Sequence, residues 1–166
     1  MDEIEIRLAT ESDSDDILAM LQNLAAETGD GDRFRCGLED IRGHGFGARP
    51  LFECLIATRA RQHLGFALYF PIFSTTRGRP GVYLQDLWVS PDCRDSGLGS
   101  RLVHEVVERA ARQWQAVYLD LMVHGHNDAA DRFYRRHGFN ERAHDRHLTL
   151  DGGAFRALLP DQEIIR

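Results

Sequence analysis

The pattern of apolar and polar positions predicts an ordered series of strands and helices that begins with one of each. Residues 4–8 alternate apolar and polar side chains, as in a half-buried strand. A polar, acidic segment follows, with Thr10 or Ser12 as the candidate N-cap of a helix that stops near Gly29. Residues 38–43 are predicted to form a short helix, which leads into a glycine-rich loop.

The centre of the chain predicts three antiparallel strands and one strongly amphipathic helix. Residues 52–59 and 63–73 are rich in apolar side chains and flank a short polar turn, which indicates a hairpin. Residues 75–81 contain two glycines and a proline and predict another turn, followed by a strand over 82–89. Residues 99–114 repeat apolar side chains at helical spacing and predict the clearest helix of the sequence.

The last part of the chain continues the alternation of strands and helices. Residues 116–123 predict a strand. A helix is predicted over 128–137, with Asn127 in its cap and Gly138 at its end. Residues 146–150 predict a final strand. The resulting order is strand, helix, short helix, three strands, helix, strand, helix and strand.

Length and composition fit one domain of ordinary size. The chain has 166 residues, of which 43% are hydrophobic and 28% are charged, close to the average soluble domain. It contains no long apolar run, no signal-peptide pattern and no internal repeat. These features argue against a membrane protein, a coiled coil, a solenoid or a disulfide scaffold. We therefore expect one mixed α/β domain over residues 1–166.

Charge and cysteine content narrow the partners and the compartment. The formal net charge of −6 argues against a general nucleic-acid binder and favours a cationic substrate. Cys36, Cys54 and Cys93 are odd in number and form no C-x-x-C pair, so we expect free thiols in a reducing cytoplasm. The sequence thus predicts a cytoplasmic protein without a nucleic-acid partner, a membrane partner or a cysteine-based zinc site.

The most informative segment is Arg94–Ser100, which joins a predicted strand to the clearest helix. A strand that enters a helix through a short loop directs the free N–H groups and the positive end of the helix dipole at one point, where an anion such as pyrophosphate binds. Gly97 and Gly99 allow an anion close to the backbone. The segment is not a P-loop and lacks the third glycine of a dinucleotide-binding motif. The alternative is that its glycines serve only as a turn and a cap.

The order of motifs around this segment is distinctive. Arg94-x-x-Gly97-x-Gly99 follows a strand, and a second helix begins at Asn127 and carries Phe133-Tyr134 before Gly138-Phe139. This order resembles the GCN5-related N-acetyltransferase (GNAT) family over essentially the whole chain. The resemblance implies a single acyl-CoA N-acyltransferase domain with a central mixed, mostly antiparallel sheet flanked by helices. It also implies acetyl-CoA as co-substrate, no metal, and assembly as a homodimer.

Further segments resemble the diamine and polyamine N-acetyltransferases of the spermidine/spermine type. These segments are Gly45-Phe46-Gly47, Pro50-Leu51-Phe52, Gly65–Tyr69, Tyr83–Val89 and Arg132–Phe139. Related enzymes act on thialysine and other small amines. The resemblance implies direct transfer of an acetyl group to a primary amine of a small cationic substrate such as a diamine, a polyamine or a thialysine-like molecule.

The resemblance also assigns roles to individual residues. Tyr134 is implied to be the general acid that protonates the departing thiolate of CoA. The residues implied to bind the co-substrate through the strand, the loop and the start of the second helix are Leu87, Trp88, Val89, Arg94, Asp95, Ser96, Gly97, Leu98, Gly99, Ser100 and Asn127. Asp95 stands where the family usually has glycine, and its charge is expected to weaken CoA binding unless the side chain faces solvent or caps the helix.

The amine site is implied to include Gln85, Asp86, Glu27 and Asp30. Polyamine acetyltransferases carry an acidic residue at the position of Gln85, and an amide cannot accept the proton. Strict alternation along a strand would place Asp86 on the opposite face from Gln85. A smaller amine, or one that also carries a carboxylate, is therefore an alternative to a long polyamine.

The general base remains open at this stage. His124 and His126 lie near the end of a predicted strand and are candidates, as is a relay through water. Their spacing also suits two metal ligands, but no third ligand follows in a recognisable pattern. Two other functions are alternatives: acetylation of a protein or peptide amine, and a non-catalytic sensor that binds acyl-CoA.

Overall fold

A computed structural model describes residues 3–159 of the chain. The chain divides into two structural units, the first ending at Asn127 and the second starting at Asp128. The first unit contains the sheet and three α-helices, and the second contains two further helices. Within residues 3–159, the helices are too short or too polar to cross a membrane.

The first unit is built on a five-stranded sheet whose strands lie side by side in chain order. The first four strands pair antiparallel, and the fifth pairs parallel with the fourth. The strands are β1 Glu5–Leu8, β2 Glu53–Arg59, β3 Gln62–Ser74, β4 Arg79–Val89 and β5 Leu119–Asp120. The predicted class, a mixed, mostly antiparallel sheet with flanking helices, is confirmed.

One face of the sheet is covered by α1, Ser14–Thr28, and by the short α2, Leu38–Ile41. Helix α1 ends because Gly29 adopts a φ of +82°, which glycine reaches without a side-chain clash. The N–H of Asp30 then closes the turn on the carbonyl of Ala25 at 2.8 Å. The core on this face consists of Ile17, Met20, Leu21, Ile41, Cys54, Ile56, Phe66, Leu68 and Trp88.

A buried carboxylate fixes the start of α1 to β1. Asp13 is 6% exposed, and its two carboxylate oxygens accept hydrogen bonds from the two terminal nitrogens of Arg7 at 2.9 Å each. The backbone N–H of Thr10 donates to the same carboxylate at 2.7 Å. The Arg7 guanidinium, helped by Thr10, holds the pKa of Asp13 well below its usual range. Of the two predicted N-caps, Thr10 therefore occupies the cap of the short 3₁₀ turn that leads into α1.

The other face of the sheet is covered by α3, Leu98–Trp114. Leu68 and Tyr69 are neighbours on β3, and they show the division between the faces. Leu68 lies in the core beneath α1, whereas the ring of Tyr69 meets the ring of Trp114 at 5.9 Å between centroids. Because side chains alternate along a strand, α1 and α3 cover opposite faces. The side chains that α3 buries are Leu98, Leu102, Val103, Val106 and Ala110.

Residues 42–46 form a wide π-helical turn, so the prediction of a glycine-rich loop there was wrong. Close packing explains the glycines. A Cβ atom on Gly45 would lie 2.7 Å from the ring of Phe52, and a Cβ atom on Gly47 would collide with the carbonyl of Gly43. The glycines thus mark tight packing around a helical turn.

Strand β4 contains a β-bulge. Leu68 of β3 opposes Asp86, while its neighbour Tyr69 opposes Leu84, so Gln85 is an extra residue on β4. A bulge bends its strand and increases the local twist. The direction of β4 therefore changes at Gln85.

Strand β5 is much shorter than the strand predicted over 116–123, so that prediction was wrong in length. Only Leu119 and Asp120 are in register with β4, opposite Val82 and Tyr83. The reason is the bulge that follows in β4, because the bent strand no longer runs beside the chain beyond β5.

The second unit contains α4, Asp128–Arg136, and α5, Gly152–Ala157. Helix α4 was predicted, and Gly138 ends it with a φ of +86°. The predicted strand over 146–150 was wrong, since these residues form no strand among those described. Its two apolar side chains, Leu148 and Leu150, are both exposed, so the segment buries no apolar face. The sequence did not predict α5.

Candidate active site

Beyond the bulge, one edge of β4 carries no strand. In the described part of the chain, residues 86–89 pair with β3, whereas the pairs with β5 end before them. Ser90 donates its N–H to the carbonyl of Leu64 on β3 at 2.8 Å. Because alternate residues of a strand direct their backbone groups to opposite sides, Leu87 and Val89 direct theirs toward the open edge. An extended molecule with amide groups fits such an edge as an added strand.

The loop after β4 turns sharply into α3. Asp95 and Gly97 have φ values of +62° and +81°, which glycine accepts readily and aspartate accepts only at a cost. The hydroxyl of Ser96 donates to the carbonyl of Cys93 at 2.6 Å and braces the turn. The N–H groups of the first turn of α3, which begins at Leu98, have no acceptor within the helix. Together with the positive end of the helix dipole, they form a place for an anion.

Arg94 is held by a clamp that joins three elements. Its Nε donates to the carbonyl of Val89 at 3.0 Å, and a terminal nitrogen pairs with the carboxylate of Glu27 at 2.5 Å. The other oxygen of Glu27 accepts the indole N–H of Trp88 at 3.1 Å. The clamp ties the end of α1 to β4 and to the loop. The Arg94 and Glu27 side chains are 45% and 38% exposed, so water screens the ion pair and an anion can compete for Arg94.

The bulge turns Asp86 onto the face of the sheet that α1 covers. Asp86 opposes Leu68, and Trp88 lies two residues further along β4; both of these apolar residues belong to the core beneath α1. On the other side of the bulge, Tyr83 stacks on its cross-strand partner Phe70 at 5.2 Å, and Phe70 shares the face of Leu68. Tyr83 and Asp86 are three positions apart, so an unbroken strand would place them on opposite faces.

Strict alternation, which underlies the prediction for Asp86, does not hold along β4, because the pattern of side chains resets at the bulge. Gln85, the extra residue, is exposed, whereas Asp86 is half-buried. Burial raises the pKa of Asp86 to about 6. This carboxyl group therefore gains or loses its proton close to neutral pH.

The chain after β5 reaches the loop that follows α1. The Nε2 of His124 lies 3.0 Å from one carboxylate oxygen of Asp30. The other oxygen of Asp30 pairs with Arg33 at 3.2 Å. The Nε2 of His126 lies 3.1 Å from the carbonyl of Thr28, and the two imidazole rings stack at 5.4 Å. Both histidines thus hold the loop after α1.

Of the predicted site residues, Asn127 is the last residue of the first unit and Tyr134 belongs to the second unit. The N–H of Asn127 donates to the carbonyl of His124 at 2.8 Å, and this bond shapes the end of the first unit. Tyr134 is half-buried on α4, and its ring meets the rings of Phe133 and Phe139 at 5.1 Å and 5.3 Å. These ring contacts orient Tyr134 within the second unit.

Sequence reasoning missed the role of Glu27. It implied a place for Glu27 in the amine site but did not predict that its two carboxylate oxygens bond Trp88 and Arg94. These partners lie 61 and 67 positions away along the chain, and no local pattern joins them to Glu27. The indole N–H of a buried tryptophan, which needs an acceptor, was the only signal in the sequence.

A sheet that opens beside its fourth strand, with a helix N-terminus at the same place, suits an extended, phosphate-bearing molecule. The profile described as "Acetyltransferase (GNAT) family" matches residues 18–139, and the chain belongs to this family. The resemblance seen in the sequence is confirmed, and so is the enzyme class of N-acetyltransferase. Enzymes of this family use acetyl-CoA.

Individual relatives show which amines related enzymes act on. The chain is 36% identical over 118 residues to a thialysine N-epsilon-acetyltransferase of Sus scrofa, covering 66% of this chain and 69% of that protein. It is 29% identical over 145 residues to the human spermidine/spermine N(1)-acetyltransferase-like protein 1, covering 83% of this chain but 21% of that protein. The mouse thialysine enzyme is 36% identical over 113 residues, which cover 63% of this chain and 66% of that protein.

Solved structures support the fold. An integron cassette protein of V. cholerae has a TM-score of 0.77 at 21% identity, with 93% of this chain and 96% of that chain covered. An aminoglycoside acetyltransferase from an uncultured soil metagenomic sample, solved with sisomicin, has a TM-score of 0.73 at 15% identity. The structural match with the aminoglycoside enzyme covers 89% of this chain and 97% of that chain. At these identities the likeness concerns the fold alone.

The backbone strain and the charge at Asp95 are separable by two substitutions. Asp95→Asn removes the charge and keeps a residue that tolerates positive φ, whereas Asp95→Gly also removes the strain. Both variants should bind CoA more tightly by calorimetry. Only Asp95→Gly should raise the free energy of unfolding, by about 0.5–1 kcal/mol in urea.

Two results would contradict the claim that Asp95 strains the backbone and weakens CoA binding through its charge. Equal stabilisation by both variants would show that the charge, and not the backbone, carries the strain. Unchanged CoA affinity in both would show that the Asp95 carboxylate lies away from the phosphates.

Proposed function

We propose that this protein is an acetyl-CoA-dependent N-acetyltransferase that transfers an acetyl group directly to a primary amine of a small cationic substrate. A diamine, a polyamine or a thialysine-like amine is the substrate class. The observation that carries the proposal is the open edge of β4 beyond Gln85, which lies between an anion-binding helix terminus and a half-buried carboxylate.

The co-substrate fits the groups along this edge. The pantetheine arm would pair with the backbone of Leu87 and Val89, with Trp88 holding the strand to α1 through Glu27. The pyrophosphate would sit on the loop and the first turn of α3. The residues proposed for that contact are Arg94, Asp95, Ser96, Gly97, Leu98, Gly99 and Ser100, with Asn127 touching the arm. Acetyl-CoA supplies the activated acetyl group when bound.

The Glu27–Arg94 pair adds a feature to this picture. Arg94 holds the carbonyl of Val89 through Nε and Glu27 through one terminal nitrogen, so its other terminal nitrogen is proposed to meet the pyrophosphate. Glu27 would meet a substrate ammonium, as the family resemblance implies, while it stays bonded to Trp88 and Arg94. Asp30 has the same constraint, since it is bonded to His124 and Arg33.

The amine side is acidic, which favours a cationic substrate. Asp86 and Gln85 lie at the bulge, and Glu27 and Asp30 lie at and after the end of α1. Tyr134 is proposed as the general acid, whose hydroxyl proton goes to the departing thiolate. A pre-positioned amine and acyl donor lower the barrier by roughly 7–11 kcal/mol in favourable cases.

We propose further that residues 1–166 act as one catalytic domain, that the enzyme works in the cytoplasm, and that it assembles as a homodimer. The absence of a C-x-x-C pair supports the reducing compartment. The family resemblance supports the homodimer. Cell fractionation tests the cytoplasmic location, and analytical ultracentrifugation tests the homodimer.

Release of CoA thiol with acetyl-CoA and a panel of amines tests the proposed function. The panel contains putrescine, spermidine, thialysine, lysine and short peptides, with a control that lacks amine. We expect the greatest kcat/KM with a small diamine, a polyamine or thialysine. A preference for peptides would indicate a protein N-acetyltransferase instead. Tight CoA binding with no turnover on any amine would indicate a sensor.

The variant Tyr134→Phe tests the general acid in the same assay. Removing the hydroxyl should lower kcat by about 100-fold or more, because general acid catalysis contributes roughly that much, while CoA affinity is retained. Tyr118→Phe is the matched control and should keep full activity, since the Tyr118 ring packs against Gly81, before the bulge, and meets the guanidinium of Arg77 at 4.4 Å. Full kcat in Tyr134→Phe would contradict the assignment.

A further inference from the structure

Three residues aligned across β2, β3 and β4 end in a carboxylate that lies one position after the amide Gln85. Cys54, Leu68 and Asp86 are directly opposed across β2, β3 and β4. Cys54 and Leu68 are 3% and 7% exposed, whereas Asp86, at the end of the row, is only half-buried. Asp86 is thus the polar end of an apolar row, and the edge of β4 beside it is open on the other side.

We propose that Asp86 is the general base that takes a proton from the ammonium group of the bound amine. This inference rests on the proposed function. It states how the chain compensates for Gln85, an amide at the position where related polyamine enzymes carry an acid. The extra residue at the bulge places the next side chain along the sequence, the carboxylate of Asp86, on the α1 face.

The contacts of the other candidates favour Asp86. His124 and His126 are committed to Asp30 and to the carbonyl of Thr28 in the loop after α1. Glu27 has both oxygens bonded. Asp86 combines a half-buried carboxylate with a position on β4 one residue from Leu87, whose backbone groups line the open edge.

Burial dominates the pKa of Asp86, and the groups that face its carboxylate matter less. They are the thiol of Cys54 on β2, the thiol of Cys36 before α2, and the phenol of Tyr83 on β4; the pKa values of all three are raised in part by the Asp86 carboxylate. From α1, Glu27 reaches the same face through Trp88, and Arg94 balances its charge. Burial raises the pKa of Asp86 itself to about 6, which suits a base that works near neutral pH.

The proton balance closes without any further reagent. The ammonium gives one proton to the Asp86 carboxylate, and the neutral nitrogen forms the C–N bond to the acetyl carbon as the C–S bond breaks. Tyr134 gives its hydroxyl proton to the thiolate, and the second proton from the nitrogen returns to Tyr134 through water. Asp86 then releases its proton to solvent, so one proton is produced per turnover.

The raised pKa also has a consequence for stability. The folded pKa of about 6 exceeds the unfolded value of 3.8, so the folded state binds the proton more tightly. Stability from this group is therefore present at pH 4 and is lost as the pH rises through 6. Asp86→Asn, which removes the buried charge, should unfold at a higher temperature than the native protein at pH 8.

The experiment compares Asp86→Asn with the native enzyme over a range of pH, using the best amine of the panel. The native kcat/KM should fall below an apparent pKa near 6, as the base becomes protonated. Asp86→Asn should lose about 100-fold or more in kcat/KM at pH 7 and should lack this acidic limb. Its activity should recover toward high pH, where the free amine is present without a base.

Two further variants separate catalysis from folding. Asp120→Asn removes a carboxylate from β5, next to the open edge, and should keep the acidic limb. Asp86→Glu keeps a carboxylate and should retain part of the activity. Thermal unfolding at pH 8 checks that Asp86→Asn is folded, with a raised midpoint expected.

The outcomes distinguish the base from the function. A native enzyme that acetylates amines, together with an Asp86→Asn variant that keeps the acidic limb and most of its activity, would overturn the role of Asp86 and leave the proposed function intact. A folded Asp86→Asn variant that stays equally inactive up to high pH would overturn the base role as well. A native enzyme that turns over no amine would overturn both proposals.

Discussion

The bulge at Gln85 is the constraint on which the site depends. One extra residue bends β4, and the bend has two effects. It ends the pairing with β5 after Tyr83, which leaves the backbone of Leu87 and Val89 facing an open edge. It also resets the alternation of side chains, which brings Asp86 to the α1 face beside Leu68. The open edge of β4 and the position of the Asp86 carboxylate are therefore both set by a single irregularity.

The remaining parts hold that edge in place. Helix α3 ends the loop with a terminus suited to phosphate, and the strained φ of Asp95 shows that the loop conformation is imposed by its surroundings. Glu27 joins the end of α1 to Trp88 and Arg94, so α1 is tied to β4 and to the loop before α3. Both side chains of the Glu27–Arg94 ion pair are more than a third exposed, so water screens it.

Local rules explain what the sequence could predict. The hairpin of β2 and β3, the helix that starts at Leu98 and the end of α4 at Gly138 follow from alternation, helical spacing and glycine signals that act over a few residues. The bulge could not be predicted, because residues 82–89 contain no glycine or proline to mark a break in the strand. The Glu27 contacts join residues more than 60 positions apart. The strand prediction over 146–150 was wrong, because its two leucines alternate with polar residues but are both exposed.

The most direct test of this account is the hydrogen exchange of single backbone amides in β4, followed by NMR with and without CoA. The account predicts that the amides of Leu87 and Val89 exchange much more slowly once CoA is bound, because the added arm pairs with the open edge. The amide of Trp88, which is directed at β3, should change little. Protection confined to the loop and the first turn of α3, with none at Leu87 and Val89, would contradict the claim that the bulge opens this edge for the acyl donor.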